Sequence, residues 1–213
     1  GLQDATKTRR STLGFLFTCY AGLQEDDSPI GHTSALNGST DEFALPIEWR
    51  NDSGAFWDDY AYNLVSAANP DGLWDNYYKY IGQCYLFLRQ VENNPGETLL
   101  QEWLPGEKEQ WLAEAHFLIA YYYFALLRKY GPISVITEYV PQSTPSSEFG
   151  GRCHYDYCVN WIAYQLDLAA QNLPPTREGT EWGRATSTMA KALKARVLMY
   201  AASPLWNGQF PFS

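Results

Sequence analysis

Apolar positions recur along this chain at steps of three and four residues in five stretches, a helical period. The first stretch, 7–24, places Leu13, Leu16, Phe17, Tyr20 and Leu23 on one side, with Gly14 as its weak point. The second, 72–92, sets Trp74, Tyr77, Tyr78, Ile81, Tyr85, Leu88 and Val91 in register behind a candidate N-cap, Asp71. Asn93-Asn94-Pro95-Gly96 stops it. The third, 107–130, is apolar or aromatic without a break from Phe117 to Leu127. Trp111, Ala115, Leu118, Tyr122 and Ala125 form one stripe on it, and Phe117, Tyr121, Phe124 and Leu127 form another. A helix apolar on two sides is expected to lie between neighbours. Glu107, Glu109 and Glu114 lie toward its start and Arg128 and Lys129 in its last turn, as the helix dipole favours. Gly131-Pro132 ends it. The fourth stretch, 154–172, aligns Ile162, Leu166 and Ala169 with Leu173 just beyond, and Pro174-Pro175 closes it. The fifth, 186–202, turns Ala190, Leu193, Val197 and Tyr200 inward and Lys191 and Lys194 outward, and ends at Ser203-Pro204. Two successive helix pairs predict an all-α, tetratricopeptide-like helical-repeat scaffold with long irregular loops.

The longest interruption is 25–70, between the first and second helices. It shows no helical period, yet it holds Phe43, Trp49, Phe56, Trp57, Tyr60 and Tyr62. A connection of that length in a compact domain is functional or conceals structure of its own. Its densest part, "EWRNDSGAFWDDYAYN" (48–63), mixes flat aromatics with planar polar groups. Sugar recognition needs that mixture. Rings stack on the C–H face of a pyranose, while amide, carboxylate and guanidinium groups bind paired hydroxyls. The candidate ligand-binding residues are therefore Trp49, Arg50, Asn51, Trp57, Asp58, Tyr60 and Asn63. The competing reading is that these aromatics only pin the loop to the helices. A second loop, 135–151, is rich in Pro and Ser, and Ile133-Ser134-Val135-Ile136 reads as a short extended piece at its start.

Charge narrows the partners. The 213 residues carry a formal net charge of -9, with no basic stripe to neutralise phosphates or anionic lipid heads. The longest apolar run falls far short of the ~20 residues that span a bilayer. Aromatics make up 16 % of the chain, including 8 Trp and 16 Tyr, which suits both helix packing and sugar platforms. Cys153-His154-x3-Cys158 is the tightest cluster of metal-binding types and lacks a fourth ligand, so no metal is expected and the four cysteines read as free, mostly buried thiols. No phosphate loop, nucleophile elbow or dinucleotide fingerprint occurs, and no cofactor is expected. The carboxylate pairs Asp26-Asp27, Asp41-Glu42 and Asp58-Asp59 are adjacent in sequence, a spacing that usually points side chains apart, so they read as solvated edges. His116, inside the third helix, reads as a packed or rim histidine.

Five segments carry a family resemblance. "AEAHFLIAYYYFALLRKYG" (113–131) resembles the hallmark helix of the SusD/RagB family, surface lipoproteins of Bacteroidetes that bind glycans, or in some members peptides, beside outer-membrane import channels. "GLWDNYYKYIGQCYLFL" (72–88) resembles the preceding helix, and "GRATSTMAKALKARVLMYAASPLWNG" (183–208) a later one. "LDLAAQNLPP" (166–175) and "STDEF" (39–43) fall in the family's order. The resemblance implies a scaffold without catalysis. It would bind an oligosaccharide, or in the alternative a peptide, and hand it to a SusC-like TonB-dependent transporter at the outer surface of the cell. Membrane association would run through a lipid anchor of the precursor that is not present in this chain, since Cys19 falls within a helix. Family members are longer, so 1–213 is expected to be their N-terminal helical domain. The helical segments carry over no binding residue, and the loop cluster remains the candidate site. A protein-gripping scaffold and a glycosidase are the competing functions.

Overall fold

The computed structural model describes residues 1–23, 66, 73–141 and 143–208. Contacts divide the chain into Gly1–Ala21 with Tyr77–Ser213 on one hand and Gly22–Asn76 on the other, and the packing below belongs to the first. Among the described residues the helices are α1 (Arg9–Tyr20), α2 (Leu73–Asn93), α3 (Glu97–Glu102), α4 (Glu107–Tyr130), α5 (Tyr155–Asn172) and α6 (Ser187–Ala201). Five of them answer to the five periodic stretches. α3 is too short for a period to show. The start of α1 is set by Thr8, whose hydroxyl accepts the Ser11 N–H, and that of α6 by Thr186, which accepts from Met189. Asp71 lies outside the described residues.

α4 packs against α5, and α5 against α6. Both expected stripes of α4 are buried except at Tyr121, which is half-buried, so the helix is sandwiched as its pattern requires. α1 departs from expectation. Its buried face is Thr12, Phe15, Leu16 and Cys19, while Phe17 and Leu23 stand 46 % and 40 % exposed. The physical reason is close approach. Small Cys19 lets α1 settle on α2, where Phe15 meets Phe87 edge-on at 5.3 Å and the Cys19 thiol reaches the Gln83 carbonyl. In α6, Ala190 and Val197 face inward as expected, but Tyr200 stays 38 % exposed with its ring edge-on to Phe124.

The three consecutive tyrosines of α4 diverge. Tyr122 is fully buried and its hydroxyl donates to the Cys19 carbonyl at the end of α1, 2.6 Å away. That bond satisfies one of the carbonyls a helix end leaves open. Tyr123 points to the other side and replaces a strand partner. Its hydroxyl accepts the Ile136 N–H and donates to the Ile136 carbonyl, both at 2.8 Å. Tyr78 from α2 donates to Ser134 O at 2.6 Å, and the Cys153 N–H and Cys158 thiol both reach Ile133 O. The segment 133–136 therefore forms no strand ladder; the Tyr78, Tyr123 and Cys158 side chains and the Cys153 N–H hold its backbone polar groups. Cys19, Cys84 and Cys158 are buried free thiols, as expected, and Cys153 is half-buried.

Gly131 ends α4 at φ 68° and ψ −144°, a conformation open only to glycine. A Cβ there would also stand 3.2 Å from the Trp206 ring, which stacks on Tyr155 at 3.8 Å. Gly131→Ala is expected to lower stability by about 1–3 kcal/mol, read from the thermal midpoint by circular dichroism. An unchanged midpoint would show that the turn relaxes freely.

Candidate functional site

Trp49, Arg50, Asn51, Trp57, Asp58, Tyr60 and Asn63 all lie outside the described residues, as do the three carboxylate pairs and His32. What the described residues offer is a buried ion cluster, a polar cleft and an apolar groove.

The ion cluster centres on Glu114, which is wholly buried in the first half of α4. The pattern reading assigned it to the helix dipole; the structure gives it a different task. Arg184 reaches its carboxylate through Nη2 and Nε at 2.6 and 3.0 Å, and Arg177 through Nη2 at 2.8 Å. Both guanidinium side chains are almost wholly buried, at 8 % and 2 % exposure. Glu181, half-exposed on a single 3-10 turn (Gly179–Glu181), accepts from the two arginines in turn at 2.8 and 2.9 Å. Tyr20 donates to Glu114 at 2.6 Å and accepts the Ala185 N–H. Burial first, and the Glu114 carboxylate second, push the Tyr20 phenol far above its ordinary range. Burial would lower Arg184, but its bonds to Glu114 together with the charges of Glu114 and Glu181 raise it on balance. Every strong donor and acceptor is used internally, so the cluster is a structural clamp between α1, α4 and the α5–α6 connection.

The polar cleft, about 570 Å³, lies between α2, α4, α5 and the segment 137–141. Tyr85, Leu88, His116 and Gln165 form its more buried side, and Arg89, Glu92, Asn93, Glu138 and Tyr139 its outer walls. His116 Nδ1 lies 2.7 Å from Gln165 Oε1. An amide oxygen only accepts, so Nδ1 carries the hydrogen and Nε2 is left as an acceptor. Burial holds the imidazole below its ordinary range, against the Gln165 bond and the Glu92 charge, which pull the other way. The Arg89 guanidinium sits over the Tyr139 ring, 4.6 Å from its centroid. Chemically this is a place for hydrogen bonding and ring contact. Sequence reasoning missed it because its residues come from separate elements. One signal was available: Gln165 interrupts the apolar register of α5 and is 3 % exposed.

The groove, about 460 Å³, is lined mainly by Phe124, Leu127, Tyr155, Met199, Leu205 and Trp206, between the ends of α4 and α6.

A family model matches residues 16–199, and its description is a SusD-like, starch-binding protein associating with the outer membrane. The chain belongs to the SusD-like family. Among solved structures, the SusD-like chain resembles BT4246 at 53 % identity and a TM-score of 0.85, over 97 % of this chain and 33 % of that one. It also resembles surface glycan-binding protein A from Bacteroides fluxus, at 25 % identity and a TM-score of 0.64, over 91 % and 40 %. A laminarin-binding SusD-like protein shares the fold at 22 % identity and a TM-score of 0.73, over 91 % and 40 %. No curated protein matches the sequence. The chain thus spans about a third of the length of BT4246. The SusD-like family accounts for the all-α scaffold and for carbohydrate binding as the family's trade.

Proposed function

We propose that this SusD-like chain is part of a non-catalytic capture protein. It binds an oligosaccharide at the cell surface and passes it to a SusC-like TonB-dependent transporter. The observation that carries this is the family match over 16–199, whose description joins starch binding to the outer membrane. The anchoring is a lipid on the precursor, and the loop residues Trp49, Arg50, Asn51, Trp57, Asp58, Tyr60 and Asn63 are the ligand contacts. Their support is chemical: two indoles for ring faces, with planar polar groups beside them for hydroxyls.

Calorimetric titration with oligosaccharides cut from starch and laminarin tests the capture reading. Trp49→Ala and Trp57→Ala are expected to weaken binding at least tenfold and leave the thermal midpoint nearly unchanged. A midpoint that falls with each would mean that the indoles are packing residues. Failure of this chain and of a full-length relative to bind any glycan would remove the glycan reading and bring a peptide ligand forward. Pull-down with the transporter tests delivery: transporter binding with no glycan response would favour a protein-interaction scaffold.

A further inference from the structure

Among the described residues, the lining of the cleft comes from α2, α4, α5 and 137–141. Its volume, about 570 Å³, lies within the range of small-ligand sites. Its polar groups are mixed in kind. His116 Nε2 accepts, Gln165 and Asn93 are amides, Arg89 donates, and Glu92 and Glu138 accept. Leu88 and the Tyr139 ring supply apolar surface between them. On the buried side, the Tyr85 hydroxyl faces the indole N–H of Trp161.

We propose that this cleft is a second carbohydrate subsite, which takes one terminal pyranose ring of a neutral oligosaccharide. The inference rests on the capture reading above. A purely apolar ligand would leave His116 Nε2 without a donor and take Arg89, Glu92 and Glu138 out of water. A uronic acid would bring its charge against Glu92 and Glu138, and among the described lining residues Arg89 is the one cation set against them. A neutral sugar meets neither penalty. Its hydroxyls donate to His116 Nε2 and the carboxylates and accept from Arg89 and the amides, while its C–H face lies on Leu88 and Tyr139. The neutral imidazole matters here: protonated, Nε2 would donate, and that acceptor would be gone.

The test is calorimetry on the whole chain with maltohexaose and laminarihexaose, comparing the wild type with an Arg89→Ala/Tyr139→Ala double variant. Both residues lie at the cleft's outer wall, and a melting curve confirms that the variant folds. The wild type is expected to bind two molecules per chain. The double variant is expected to lose one event or weaken it at least tenfold, while Trp49→Ala with Trp57→Ala removes the other. Glycan binding that the double variant leaves untouched overturns the cleft and leaves the capture reading standing. No binding of either hexaose by the wild type removes both.

Discussion

Glu114→Ala is expected to destabilise the protein by about 3–5 kcal/mol, measured as a fall in the urea midpoint at constant slope. The size follows from what the substitution strands. Arg184 and Arg177 are nearly inaccessible to water; Arg184 grips the Glu114 carboxylate with two nitrogens and Arg177 with one. With that anion gone, the carboxylate left to the two buried guanidinium groups among the described residues is Glu181, which is 47 % exposed and screened by solvent. Tyr20 also loses its acceptor. Glu114→Gln isolates the charge, because it keeps the shape and an acceptor for Tyr20, and it should cost less than the alanine. Replacing all three buried ions by apolar residues of matching size is expected to recover most of the loss, since a buried ion cluster adds little over good packing. A cost for Glu114→Ala below about 1 kcal/mol would show that water reaches the cluster.

The second large effect is at Tyr122. Tyr122→Ala should cost about 3–5 kcal/mol, because a fully buried aromatic leaves a cavity that the helices around it cannot close. Tyr77 and Tyr80 lose a ring neighbour at 6.0 and 5.7 Å. Tyr122→Phe separates packing from hydrogen bonding. It fills the same space but leaves the Cys19 carbonyl without its side-chain donor, for about 1–2 kcal/mol. Unfolding titrations of the two variants, run beside glycan titrations of the folded fraction, should show stability falling with affinity unchanged. Equal losses in both variants would place the whole effect in the hydroxyl.

Much of the scaffold was legible because helix periodicity is local. The bounds of α4 follow from its acid-first, base-last pattern and the Gly131-Pro132 stop, and they coincide with the observed helix. The phase of α1 was misread because hydropathy favours Phe17 and Leu23 over Thr12 and Cys19. Closeness of approach is a property of the partner helix, and no single-helix pattern contains it. Glu114 was read through its position near a helix start, since its partners Arg177 and Arg184 are distant in sequence. Gln165 could have been caught, for a polar residue in the middle of a buried register needs a partner. The loop cluster at Trp49 and Trp57 is legible only as chemistry: composition shows what such residues can touch and is silent on how they are placed.

Gly131 and Trp206 belong to two separately recognised signatures, yet they are halves of one joint. The dependence between them runs one way. Gly131 is held to glycine by its own backbone angles, whatever lies opposite. Trp206 rests its indole in the space that the missing side chain leaves, and on Tyr155 beyond it. Over evolutionary time the tryptophan is therefore free to drift while the glycine stays, but a lineage that replaced the glycine would have to move the indole as well. A chain of this kind that keeps the glycine and lacks the tryptophan is an expected intermediate; the reverse combination is not.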